Sequence, residues 1–289
     1  MSESRAKKKA HSGVLEACPH CIYCGGEVPA VSIDHVPPRV MFRGRRRPKG
    51  LEFASCKDCN EGTGRADLVA ALLSRVAPEA RDEEEREELK KLLRGVSNNV
   101  PGLLQEMYLD EGDQAAAQNR LARPLEGGFL KANGPLVRAH MQTFATKLGF
   151  ALYYELTGKI VPLEGGVAAR WFSNMDRLED AFPQSAFDHL LSPKTLKQGK
   201  FDVSDQFSYQ WRLADGDRMA LFFASFRHSF AVLAFVATDR TLFDVETKHP
   251  MHIVSPRNVT KLLQPSEKGQ LRDSLSWAPL PMPTNVWSG

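Results

Sequence analysis

The spacing of apolar residues changes along the chain, and the changes divide it. Over residues 18–62 no helical period is present. Short apolar runs at 28–33 and 51–54 stand among Gly, Pro and Cys, as short strands between turns would. A helix is predicted to begin within 60–66 and reach Val76, because Leu68, Ala71, Leu72 and Val76 share one face and Pro78 follows. Residues 79–93 read as a charged helix with Leu89, Leu92 and Leu93 on its apolar edge. Its acids lead and its bases trail, which suits the helix dipole, and its charges read as a solvated face. After the break at Val100-Pro101-Gly102 a short helix runs to about 109, and the polar, Gly-rich stretch 110–135 reads as loop with short pieces of structure. Pro135 opens the clearest helix, with Leu136, Met141, Phe144, Leu148 and Leu152 as its apolar positions and Gly158 as its C-cap. Residues 167–181 and 185–191 are predicted helical.

The period then drops to two. Phe207, Tyr209 and Trp211 alternate with Ser208, Gln210 and Arg212, and the turn Asp215-Gly216-Asp217 leads into apolar runs at 219–226 and 230–237. These predict a three-stranded antiparallel meander whose aromatic stripe packs on the 135–158 helix. From Ser255 onward the chain is rich in Pro and Ser and reads as loop. The expected fold class is α+β. It comprises a flexible basic arm over 1–17, a compact module over 18–77, and a helical and antiparallel-sheet region of unspecified role over 78–289.

Composition narrows the class. Of 289 residues, 42% are hydrophobic and 25% charged, which excludes global disorder and collagen-like structure. The apolar runs fall short of the ~18 residues of a membrane span, and the basic start carries no apolar stretch of a secretory signal. A soluble, cytoplasmic protein without membrane contact is expected. The net charge of +3 hides an asymmetry: residues 1–65 hold 12 Lys and Arg against 7 Asp and Glu. Much of that excess is the run Arg43, Arg45, Arg46, Arg47 and Lys49, a candidate contact for nucleic-acid phosphates. No aromatic residue interleaves it, so base stacking is not indicated.

All five cysteines lie at positions 18, 21, 24, 56 and 59, and none follows. An odd number crowded into one segment points to metal rather than to disulfides. Cys21-Ile-Tyr-Cys24 and Cys56-Lys-Asp-Cys59 are two-residue-spaced pairs separated by 31 residues, enough for four thiolates around one Zn²⁺ at about 2.3 Å. Gly25 and Gly26 favour Cys21 and Cys24 as the first pair. Cys18-Pro-His-Cys21 is an alternative first knuckle, with His20 a further candidate ligand; otherwise Cys18 is a leftover thiol. Zinc held by four thiolates is coordinatively closed and structural, so any chemistry must be mounted beside it.

Between the two pairs stands Ser32-Ile33-Asp34-His35-Val36-Pro37-Pro38, and Asn60 follows the last cysteine. The order of C-x-x-C, a strand ending in Asp-His with Pro behind it, C-x-x-C-N and a helix resembles the zinc-containing HNH endonucleases, or ββα-metal (His-Me finger) enzymes. The resemblance covers residues 18–75, about a fifth of the chain. It implies that His35 is a general base activating water and that Asp34 holds one Mg²⁺ or Mn²⁺. It implies further that Asn60 is a second ligand or orienting residue, and Asp67 a third acidic contact. The implied reaction is metal-dependent hydrolysis of a nucleic-acid phosphodiester, with DNA the expected substrate, and a nuclease joined to a sensor-like region would suit defence against phage DNA. Two departures stand out. The middle Asn of the motif is absent from 51–55, leaving the orientation of His35 unexplained, and the last position is Asp67 rather than His or Asn. The rival reading is a non-catalytic, zinc-dependent nucleic-acid-binding or scaffold protein with a degenerate module. In either case 78–289 could carry a protein partner or a homo-oligomer contact. His140, His228, His249 and His252 show no ligand spacing, and Asp188-His189, in a predicted helix without cysteines nearby, reads as structural.

Overall fold

The computed structural model describes residues 12–76, 82–119, 130–174, 190–193, 195–243 and 252–263. Most of the basic arm, Asp188-His189, His249 and nearly all of the predicted 185–191 helix lie outside these residues. The end of the arm, expected to be flexible, forms a short helix α1 over 12–17.

Strands β1 (Ser32–His35) and β2 (Glu52–Ser55) pair antiparallel, with Ser32 opposite Ser55 and His35 opposite Glu52. Helix α2 (Lys57–Ser74) follows at once. It starts ahead of the predicted window because the Cys56 sulfur accepts the Cys59 N–H at 3.4 Å and caps the first turn. Helix α3 (Glu83–Asn99) begins later than its charge pattern suggested, because Asp82 is its N-cap, accepting from the Glu85 N–H at 3.0 Å. After α4 (Leu103–Met107), the short structured piece expected within 110–135 is a helix, α5 (Glu111–Asn119). Its start is also capped, by Asp110 accepting from the Asp113 N–H at 2.8 Å.

Helix α6 (Pro135–Thr157) has the predicted ends, with Pro135 in the first turn and Gly158 closing it at φ 67°. Its N-terminus is capped from a distance. The two Glu106 carboxylate oxygens accept from the Leu136 and Val137 N–H groups, each at 2.9 Å. A Cβ on Gly134 would come within 2.2 Å of the Glu106 carboxyl carbon, so a side chain there would displace the cap.

The second sheet has five antiparallel strands in the order β6-β7-β8-β3-β9: β3 (Gly166–Ser173), β6 (Ser208–Ala214), β7 (Met219–Phe226), β8 (Phe230–Ala237) and β9 (Ile253–Val254). The meander β6-β7-β8 falls where the period-two pattern predicted it. The segment from 167, predicted helical, is instead strand β3, paired with β8 over all eight of its residues. Ala168, Ala169 and Arg170 favour helix locally, but a partner strand decides their conformation. A two-residue hairpin, β4 (Lys197–Gln198) with β5 (Phe201–Asp202), lies apart.

The sheet is buried on both faces. Ala220, Phe222, Ala224 and Phe226 of β7, with Val232, Ala234 and Val236 of β8, face the main core. Met219 and Leu221, with Leu233, Phe235 and Ala237, face a smaller cluster closed by Phe243. Helix α6 lies between the main face and α2, and Phe144 meets the rings of Phe226 and Phe230 edge-on at 5.4 and 6.2 Å. Phe207 and Tyr209 of the predicted stripe are buried in the same aromatic cluster. The architecture is therefore a cysteine-stapled ββα element, a helical middle and an antiparallel sheet packed on a helix. Among the described residues no helix is long and apolar enough to cross a membrane.

Candidate metal centre

The donor sulfurs of Cys21, Cys24, Cys56 and Cys59 lie within 4.8 Å of one another, and all four residues are buried. Cys24 Sγ is 3.5 Å from Cys59 Sγ and 3.8 Å from Cys56 Sγ. A zinc–sulfur bond of about 2.3 Å gives a tetrahedron edge of about 3.8 Å, so the cluster has the size of a Zn(Cys)₄ site. Electrostatics agree. Thiol hydrogen bonds from Cys24 and Cys59 pull Cys21 down to about 2, and that thiolate in turn pushes Cys24 up to about 12 and Cys59 higher still. One sulfur can carry charge on its own, and four can do so only around a cation.

The geometry also chooses the knuckle. Gly25 and Gly26, at φ 68° and 78°, turn the chain back after Cys24. Cys18 is buried outside the cluster and donates its thiol to the His20 carbonyl at 3.2 Å. His20 is exposed and stands outside the cluster too. Among the described residues no second group of three or more His, Cys, Asp and Glu donors converges in this way.

The Asp34-His35 pair straddles the pleat, so its two side chains point to opposite faces. Asp34 points inward and is 3% exposed. Its carboxylate accepts from the Tyr23 hydroxyl at 2.9 Å and pairs with the Lys147 ammonium at 2.9 Å. Lys147, on α6, is fully buried and reaches Asp67 of α2 at 2.8 Å. The fold thus unites Asp34 and Asp67, as the sequence led one to expect, but around an ammonium of the chain itself. Burial alone would push Lys147 down; the two carboxylates outweigh it and hold the ammonium at about 12. Burial pushes Asp67 up to about 7 against the pull of Lys147, and the Asp34 charge adds to the rise. Burial and the Asp34 carboxylate also push the Tyr23 phenol well above its usual range, keeping it a donor.

Asn60, expected as a second ligand or an orienting residue, is engaged with β1. Its amide donates to Ser32 Oγ at 3.1 Å and to the Ile33 carbonyl at 3.4 Å, tying the start of α2 to β1. His35 is half-buried, and its Nδ1 is buried without a partner. Burial, then Arg47 and Arg39, lower its pKa, so the ring is neutral near pH 7.

The five cations of the 43–49 loop are dispersed in role. Arg43 pairs with Asp82 and Glu84 of α3. Arg46 stacks over the Phe201 ring at 4.2 Å. Arg47 is buried, donating to the Leu51 carbonyl at 2.9 Å and pairing with Glu52. Arg45 and Lys49 are exposed. Compared with protein-family models, with curated proteins and with solved structures, the chain matches none.

Two residues of this site escaped the sequence pattern. Tyr23 stands between two cysteines, where the C-x-x-C spacing gives its phenol no role. Lys147 has a sequence signal only in retrospect: a lysine three residues after Phe144 in a helix buried on every side calls for a buried counter-ion.

Proposed function

We propose that this chain is a non-catalytic, zinc-dependent nucleic-acid-binding protein built on a degenerate ββα module. The observation that carries this reading is Lys147. A nuclease of the kind the sequence resembles would need Asp34 and Asp67 to hold a divalent ion, whereas here both carboxylates already share one buried ammonium. Asn60, bonded to β1, does not complete an open ligand set. The cysteine cluster fits structural Zn²⁺, which fixes the cap of α2 and the knuckle carrying Tyr23. Arg45 and Lys49, exposed beside the module, supply phosphate contacts that need no base recognition. The alternative, a His35-dependent nuclease working with Mg²⁺ or Mn²⁺, is favoured by one observation, the neutral imidazole at the end of β1.

Purified protein with supercoiled plasmid, linear duplex, single strands and RNA, with Mg²⁺ or Mn²⁺, separates the two. The expected result is one zinc per chain, duplex binding that weakens steeply with salt, and no cleavage beyond that of His35→Ala. Nicking by the native protein that His35→Ala abolishes would replace this reading with the nuclease.

A further inference from the structure

The acids of α3, read from sequence as a solvated face, lie along the basic loop. Asp82 and Glu84 hold the Arg43 guanidinium, the latter at 3.3 Å. Glu88 accepts from the Gly44 backbone N–H at 3.0 Å and from Arg75 at 3.0 Å. Arg75 lies at the end of α2, with its side chain only 5% exposed. One turn back, Glu85 pairs with Arg227 at 3.1 Å. Guanidinium groups and a loop N–H are the donors that take a phosphate oxygen, and here carboxylates occupy them. Glu83 and Glu87, on the same helix, pair instead with Arg86 at 3.2 Å and Lys90 at 2.6 Å of α3 itself.

We propose that the Asp82, Glu84 and Glu88 edge of α3 stands in for a nucleic-acid phosphate backbone on the 43–49 loop, an autoinhibitory contact that a bound strand must displace. The inference rests on the nucleic-acid reading above and adds a regulation to it. No helix need move for part of the exchange. Arg43 and its two carboxylate partners are each about half exposed, so the guanidinium turns from carboxylate to phosphate by side-chain rotation.

The test compares two full-length variants of equal charge. Asp82→Asn with Glu84→Gln uncovers Arg43 and keeps a capping side chain at position 82. Glu83→Gln with Glu87→Gln removes the same charge from pairs that do not touch the loop. Binding is read by fluorescence anisotropy of a labelled DNA duplex at low salt. The first variant should bind about fivefold more tightly than the native protein and the second less than about twofold, with the difference shrinking as salt rises. Adding Arg43→Ala to the first variant should remove its gain. Equal gains in both variants, or a gain that survives Arg43→Ala, overturn the autoinhibitory contact while leaving nucleic-acid binding intact. Failure of every protein, native included, to bind the duplex overturns both.

Discussion

Strands β1 and β2 are four residues long and pair only with each other, whereas β7 and β8 run eight residues each inside a five-stranded sheet. The long strands bury alternate side chains in two apolar layers, so apolar burial alone can hold them. The short pair cannot bury enough, and two-stranded ribbons are marginal by themselves. The chain adds what is missing by other means: four clustered sulfurs, and a buried ammonium between two carboxylates, joined through the Tyr23 hydroxyl on Asp34. The lesson is that Asp34, Asp67 and the four clustered cysteines each make contacts that tie the short ribbon to α2 and α6. Their removal should damage the two regions unequally.

The largest effect is expected from the metal. Chelation of zinc, or Cys59→Ser, should release amide-exchange protection across β1, β2 and the first turns of α2 while β7 and β8 keep theirs. Simultaneous loss in both sheets would show one cooperative unit and break the contrast. Next is Lys147→Met, which leaves the buried Asp34 carboxylate without its cation, beside an Asp67 that keeps its proton the more firmly. Chemical denaturation should register a loss of about 3–5 kcal/mol. Adding Asp34→Asn and Asp67→Asn should recover most of it. A methyl-scale deletion in the long sheet, Val232→Ala, should cost about 2 kcal/mol and leave zinc content unchanged.

The smallest and most diagnostic effect is that of pH. Asp67 holds its proton up to about 7 in the folded chain, against an ordinary value of 3.8. A carboxyl whose folded pKa is raised binds protons more tightly when native. Its contribution is therefore full below pH 3.8 and lost as pH rises through about 7. Thermal melts of the native protein should fall from pH 5 to 8, and Asp67→Asn should flatten that slope. A flat native profile would mean that Asp67 is ionised throughout, with one ammonium balancing two charges.

Much of this was legible in the residues themselves. The cysteine spacing marked the metal cluster, Pro135 and Gly158 marked the ends of α6, and period-two aromatics marked the meander. The site proved harder, because its deciding residue lies 113 positions from Asp34. No local pattern announces which ammonium will meet which carboxylate. Strand β3 was missed for the same reason, since its conformation is set by β8 rather than by its own composition. Helix α5 was a different case: short structure was expected in its stretch, but only the Asp110 cap fixes where it starts.

Tyr23 sits between two metal ligands and 11 residues from Asp34, while Lys147 is 80 residues from Asp67. Closing the short loop costs less chain entropy than closing the long one. The order of assembly follows from that difference. The expected order is that the knuckle and its phenol engage Asp34 first and that Lys147 loses its water when α6 docks. Docking is thus the step at which a charge enters the interior, and the step whose rate should respond to Lys147→Met.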